Sequence, residues 1–327
     1  MRKPTQPSKS SLSLLLGIAL LCPLKLLGAE QPTPQTPPSE RIETIDTPRD
    51  YLSGKLVGFA SSIDRFFGDD RNYQESNKSV LQLDLGRVTG YGGDGKLNFT
   101  GRAKLSLPAL EGRLHLLLET DPEKNVTADQ TEVRTALNNQ VVAPNNYAVA
   151  ARYEDAKEST WHLSADIGIE ARLPVQPFAR TRGSYSAQLG EWRLKAAESV
   201  FWFKTIGVGE TTQLDLEYLL SEPMMFRATS SATWLHDKQN FDLRQDLSIY
   251  HTVSDRTALL YQVSATGVSE PQYQISEYVA AVVYRYRLHR NWVFFELSPQ
   301  LHFPKVENFS SKPSFSMRLE MLFDESK

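Results

Sequence analysis

Residues 315–323 read FSMRLEMLF. Phe315, Met317, Leu319, Met321 and Phe323 occupy every second position, with Ser316, Arg318 and Glu320 between them. Along an extended strand successive side chains point to opposite faces, so this period collects the apolar groups on one face and the charged groups on the other. Two upstream stretches repeat the arrangement. Phe226 and Trp234 bracket Ala228, Ser230 and Ala232, and Tyr278 and Tyr286 bracket Ala280, Val282 and Tyr284. In each of the three stretches the terminal aromatics stand eight residues apart on one face. Eight steps of about 3.3 Å, tilted by roughly 40°, cover on the order of 20 Å along a membrane normal, close to the height of the apolar band of a membrane β-barrel. A soluble sandwich also alternates, but nothing in its packing requires aromatics at a fixed separation near both strand ends.

The same alternation runs from residue 80 to Phe323 in segments of about ten residues, the length that spans such a band. Three segments (around Leu81–Leu85, Lys96–Leu107 and Arg113–Thr120) precede a long link, Asp121–Asn146. Eleven follow it: Tyr147–Tyr153, Thr160–Ala171, Phe178–Leu189, Trp192–Lys204, Thr211–Leu219, Met225–Leu235, Phe241–His251, Thr257–Gly267, Ile275–Arg287, Trp292–Phe303 and Ser314–Phe323. The expectation is an all-β, transmembrane antiparallel β-barrel of about fourteen strands, with 12–16 possible, an even count being usual for bacterial barrels. Link lengths give a check independent of hydrophobicity. With the N-terminus on the periplasmic side, alternate links such as Gly190–Glu191, Ser221–Pro223 and Val253–Arg256 are short, and the longest, Asp121–Asn146 and Pro304–Pro313, fall on the other side.

The N-terminal part reads differently. A basic stretch through Lys9, an apolar run Leu12–Cys22 and small residues Gly28-Ala29 predict a cleaved secretory signal over residues 1–29. Cys22 is the chain's only cysteine, so a chain cleaved near Ala29 has no disulfide framework. Residues 30–50 form a proline-rich linker. Leu52, Leu56, Phe59, Ile63, Phe66 and Phe67 recur at spacings of three and four, which predicts a short amphipathic helix within residues 51–79, a candidate plug or periplasmic cap. Val279, Ala281 and Val283 offer an apolar inner face on which it could dock. Residues 324–327 are a short tail. Beyond residue 29 the chain carries 36 − 4 = 32 bases against 39 acids, a net −7, which argues against a nucleic-acid partner.

The last segment resembles the closing strand of Gram-negative outer-membrane β-barrels, and the resemblance extends as a pattern over residues 80–323. That resemblance implies the outer membrane as location, insertion by the barrel-assembly machinery, and outer-membrane lipids and lipopolysaccharide as neighbours. The polar faces place a set of charges toward the lumen: Asp166, Glu170, Arg180, Arg182, Arg193, Lys195, Asp215, Glu217, Asp242, Arg244, Asp246, Glu296, Arg318 and Glu320. Asp166 and Glu170 are expected beside Arg180 and Arg182 across a hairpin. The membrane girdle falls to Phe226, Trp234, Tyr278, Tyr286, Phe315 and Phe323. Two segments fit imperfectly: Glu198 shares a face with Trp192, predicting a bulge near Ala196-Ala197 that turns Phe201 and Phe203 outward, and Pro299 predicts a bulge or a barrel rim.

Chemistry is less legible. His162 and Ser164 share one face, where an imidazole could activate a hydroxyl, and outer-membrane phospholipases and lipid A deacylases carry a similar His-x-Ser pair. Here Ala165 follows where those enzymes carry asparagine, and Trp161 and Leu163 take the outward face, so the pair points into the lumen. The acidic trio Asp69, Asp70 and Glu75 lacks the spacing of a calcium loop. Neither a metal site nor a cofactor motif is predicted. The leading expectation is a monomeric pore or transport barrel for an unidentified small solute. The alternatives are a lipid or lipopolysaccharide hydrolase using His162 and Ser164, and a structural or surface-interaction barrel presenting Asp121–Asn146.

Overall fold

The computed structural model describes residues 43–67, 79–107, 113–126, 144, 146–155, 160–289 and 292–324. The expected signal segment, the acidic trio and most of the long link lie outside the described residues. One helix, α1 (Glu43–Phe67), precedes the strands β1 (Val80–Gly90), β2 (Leu97–Leu107), β3 (Leu114–Thr120) and β4 (Tyr147–Glu154). Then come β5 (Trp161–Glu170), β6 (Gln176–Leu189), β7 (Trp192–Phe203), β8 (Gly207–Ser221) and β9 (Met224–Leu235). The chain ends with β10 (Asn240–Ser254), β11 (Thr257–Val268), β12 (Gln274–His289), β13 (Val293–Pro304) and β14 (Lys312–Asp324). Each strand pairs antiparallel with its sequence neighbours, and β14 closes on β1, Leu81 lying opposite Phe323 and Gly90 opposite Ser314. Closure leaves no strand edge unpaired.

Where the rim is tight the backbone demands glycine. Gly90 turns with φ +87°, and a Cβ there would come within 2.5 Å of the Pro313 carbonyl oxygen.

The distribution of side chains is inverted relative to a water-soluble protein. On β14, Arg318 and Glu320 are 2% and 0% exposed, whereas Phe315, Met317 and Phe323 are 42%, 39% and 40% exposed. Ile167 on β5 reaches 74%. Charge is inside and hydrocarbon outside because the strand period is two and the barrel has only two faces. Outward aromatics gather at both ends. At the end bearing the short links Trp161 packs on Tyr185 (4.6 Å between ring centroids), Trp192 on Tyr218 (4.7 Å) and Trp292 on Phe323 (4.9 Å), and at the other end Tyr278 packs on Phe309 (5.7 Å).

Four expectations are corrected. The register of β7 runs unbroken from Leu189 opposite Trp192 to Phe178 opposite Phe203, so there is no bulge at Ala196-Ala197, and Phe201 and Phe203 face inward. Gly168 and Gly209 explain how: a Cβ on either would stand 2.5 Å from the ring of Phe178 or Phe201, so the two glycines make room for rings inside the wall. Pro299 causes no bulge either. The β12–β13 ladder skips Ser298 and Pro299 while Ala281 stays opposite Gln300 and Tyr284 opposite Leu297. Proline offers no N–H, and the Ser298 hydroxyl donates to the Val282 carbonyl instead (3.3 Å). The helix begins at Glu43, inside the stretch read as linker, and β14 runs one residue into the predicted tail, through Asp324.

Candidate functional site: the barrel interior

The interior is organised by what fills each end. At the short-link end, α1 lies against the inner wall. Leu56, Ala60, Ile63 and Phe67 are buried with Met225, Tyr250, Ala258, Leu260, Ala281 and Val283. Apart from Ala281 at the middle of β12, these strand residues sit near the short-link ends of β9–β12, so the helix occupies that mouth. Phe67 meets the Tyr250 ring edge-on at 5.4 Å, and Phe66 meets Phe294 at 5.6 Å. Two polar ties accompany this packing. Asp64 accepts from Arg227 Nη2 at 2.7 Å, and Lys55 Nζ donates to Glu222 in the β8–β9 turn at 2.7 Å. The Lys55 hydrogen bond holds the Glu222 carboxyl below the ordinary carboxylate range.

At the opposite end, Leu117, Ala148, Ala150, Phe178, Phe201, Phe203 and Leu235 form a second buried apolar cluster. The start of the long link folds onto it as a single 3₁₀ turn, Pro122–Asn125. Thr211 donates to the Val126 carbonyl at 2.5 Å, Thr205 bonds Glu123, and Arg180 reaches the Pro122 carbonyl at 3.5 Å.

Between these ends the wall carries networks of ion pairs. On β2–β6, Arg152 grips Asp166 with two bonds (2.6 and 2.8 Å), Arg180 bonds Asp166 and donates to Glu119 at 2.6 Å, and Lys104 donates to Glu154 at 3.1 Å. On β12–β1, Arg285 donates to Glu296 (3.0 Å) and Glu320 (2.9 Å), while Arg318 reaches Glu296 (2.8 Å), Glu320 (2.9 Å) and Asp84 (3.3 Å). On β7–β10, Arg227 shares Glu217 (2.8 Å) with Arg193 (3.3 Å), Thr229 donates to Asp215 (2.7 Å), and Arg244 pairs with Asp246 (2.8 Å). Such pairs give little net stability relative to an apolar core, because desolvation offsets attraction, but losing one partner strands a buried charge.

The predicted lumen set therefore faces inward. One pairing differs from expectation. Asp166 is bridged from both sides by Arg180 and Arg152, Glu170 instead accepts from Asn146 (2.6 Å), and Arg182 donates to Ser199 (3.1 Å). Lys195 and Asp242 are buried on the same inner face, and Lys238 stands 3.6 Å from Asp242 at the rim. Phe226, Trp234, Tyr278, Tyr286, Phe315 and Phe323 lie on the outer face, with Phe226, Tyr286 and Phe323 nearer the short-link end. His162 and Ser164 share the inner wall, opposite Ser184 and Arg182.

Solvent contact persists at mid-height. Arg102, Arg182, Gln213, Ser231 and Arg244 face inward and are only half-buried. β2 and β9 stand on opposite walls of the fourteen-strand ring. Half-buried polar groups thus stand on both sides of the ring, Arg102 on one and Gln213, Ser231 and Arg244 on the other.

No protein-family model and no curated protein sequence matches the chain. Solved outer-membrane barrels do resemble it. One is described as a bacterial polysaccharide outer membrane secretin (10% identity, covering 76% of this chain and 99% of that one, TM-score 0.44). Others are the outer membrane channel DcaP of Acinetobacter baumannii (9%, 75% and 96%, 0.42) and OprB of Pseudomonas putida (9%, 79% and 97%, 0.45).

Sequence reasoning overlooked several members of the networks: Lys104, Glu119, Arg152, Glu154, Arg227, Arg285 and Asp64. The strand residues among them share the inward parity of the predicted set, which was the available signal. It also overlooked His302, fully buried, whose Nδ1 lies 3.1 Å from Glu277 and whose Nε2 lies 2.9 Å from Ser314. Among the described residues no group of three or more His, Cys, Asp or Glu side chains is placed to hold a metal ion.

Proposed function

We propose that the chain is an outer-membrane barrel that passes small solutes through its lumen, and that α1 is the plug that closes the periplasmic mouth. The observation that carries this reading is the inversion of the barrel: apolar side chains cover the exterior between two sets of aromatics while charged networks line the interior. Such an exterior is stable against lipid and unfavourable against water, and rings at both interfaces anchor the height. Eight strands leave a lumen filled by side chains and sixteen to eighteen leave an aqueous channel. Fourteen strands fall between these limits, so the width available depends on what the wall projects inward.

Here that projection supports a gated passage rather than a permanently open one. The arginine networks narrow the middle, the aromatic cluster narrows the outer mouth on the β3–β9 side, and α1 occupies the periplasmic mouth. The half-buried Arg102, Arg182 and Arg244 border what is left. A barrel of this kind takes outer-membrane lipids and lipopolysaccharide as its surroundings and β14 as the strand offered to the assembly machinery. Conductance across a planar bilayer tests the reading. The full chain should conduct weakly and intermittently, a chain lacking residues 43–67 should conduct steadily, and no conductance from the shortened, folded barrel would refute it.

A further inference from the structure

The outer wall of β6–β10 departs from the apolar exterior elsewhere. Thr181 on β6, Glu198 on β7, Thr212 on β8, Ser230 on β9 and Gln245 on β10 all face outward near mid-strand. Glu198 lies on the same face as Trp192 and Trp202, between them, and so within the band that the rings delimit. The polar groups are ordered. Thr212 Oγ1 donates to Glu198 Oε2 at 2.6 Å, the Ser230 hydroxyl donates to Gln245 Oε1, and Gln245 Nε2 donates to the Thr229 carbonyl at 3.0 Å. Small side chains hollow the surface on both sides of β8. A depression of about 670 Å³ runs over Leu163, Ala165, Gly183 and Glu198, and one of about 330 Å³ over Ser230, Ala232 and Ala265.

Acyl chains supply no hydrogen-bond donors, and a carboxylate on the lipid face of a barrel is destabilising there. A carboxylate has about four acceptor sites, and a single threonine hydroxyl leaves most of them unanswered within the membrane. Protein can answer them where lipid cannot. The layout also says which protein. The acceptor Glu198 lies on one side of β8 and Ser230 and Gln245 lie on the other, two residues apart in register because Glu198 pairs with Thr212 and Ser230 with Leu214; the Gln245 amide is held by the Thr229 and Asp246 carbonyls, so the Ser230 hydroxyl is the group that can be redirected. A two-fold axis along the membrane normal near β8 would keep every residue at its height and bring Glu198 of one copy over Ser230 and Gln245 of the other. A patch that is its own complement is the signature of an isologous contact.

We infer that the outer wall of β6–β10 is where a second copy of this chain packs within the membrane, the Ser230 hydroxyl turning from Gln245 Oε1 to the Glu198 carboxylate of the other copy, a stronger acceptor. The inference rests on the proposed membrane placement and replaces the expectation of a monomer.

The test uses the full chain in native outer membranes, carrying Ser230→Cys and treated with a short bis-maleimide, beside Leu83→Cys on β1 across the barrel. The unsubstituted chain controls for Cys22. A product of twice the chain mass from Ser230→Cys and none from Leu83→Cys is expected. Failure of Ser230→Cys to link, in protein that still shifts mobility when unboiled, overturns the interface, as does a product containing a different chain. Absence of the mobility shift in the unsubstituted protein means instead that the membrane-barrel reading has failed, and the interface with it. Glu198→Leu supplies a second readout. It should shift the detergent-solubilised protein toward the mass of one copy, whereas an unchanged mass with a higher unfolding temperature would mean that Glu198 faces lipid.

Discussion

If α1 closes the periplasmic mouth, weakening its packing should open the barrel without unfolding it. Leu56 and Ile63 are 1% and 3% exposed, and both belong to the cluster that α1 forms with the inner wall. Truncating a buried Leu or Ile to Ala costs about 2–5 kcal/mol by lost transfer energy and the cavity left behind. The two residues stand seven apart and share neighbours, so their sum, about 4–10 kcal/mol, is an upper bound. At about 1.4 kcal/mol per factor of ten, Leu56→Ala with Ile63→Ala should raise the undocked-to-docked ratio by up to roughly three to seven orders of magnitude. Planar-bilayer recording of the full chain should then change from rare openings to sustained conductance. The barrel strands form their own hydrogen-bonded ring, so the unboiled mobility shift should survive. Recordings indistinguishable from those of the parent, in protein that keeps that shift, would refute the plug. Asp64→Ala calibrates the scale: Arg227 retains Glu217, no charge is stranded, and the loss should be only about 1–3 kcal/mol.

Further outcomes follow from the walls. Arg318→Ala strands Asp84 and leaves Arg285 alone between Glu296 and Glu320, and should lower stability by about 3–5 kcal/mol, read as a fall in the temperature at which the compact unboiled band is lost. Gly168→Ala drives a methyl into the Phe178 ring and should cost about 1–3 kcal/mol, with Phe178→Leu in the same chain recovering part of it. Glu222 titrates low because Lys55 is bonded to it, so the tie holds above the ordinary carboxylate range and is lost as pH falls through the lowered value. The pair is exposed, so openings at neutral pH should change little in Lys55→Met, and a large change would mean that the turn, rather than the packing, holds α1.

Which face each strand residue takes was legible because a barrel wall separates two environments with a period of two. Phe315 to Phe323 and Phe226 to Trp234 carry that period without ambiguity. Phe201 and Phe203 were misread because the rule assumes a polar interior, whereas this interior holds an apolar cluster at one end. Their partners were hidden as glycines: Gly168 and Gly209 matter for the side chains they lack. The start of α1 was missed because residues 43–50, including Pro48, read as the continuation of a proline-rich linker. The arginine networks were half legible. Parity placed Asp166, Arg180 and Glu320 on the inner face, but the choice of Arg152 as second partner of Asp166, or of Asp64 for Arg227, depends on curvature and on where a helix docks, and neither leaves a periodic trace.

The account as a whole stands on lipid facing one parity of β14 and the lumen facing the other. Spin labels placed singly at positions 314 to 323 of the full chain in lipid vesicles measure this through their accessibility to oxygen. The account predicts maxima at 315, 317, 319, 321 and 323 and minima at the even positions, the contrast being greatest at mid-strand. Equal accessibility at neighbouring positions, or maxima at the even ones, would contradict it.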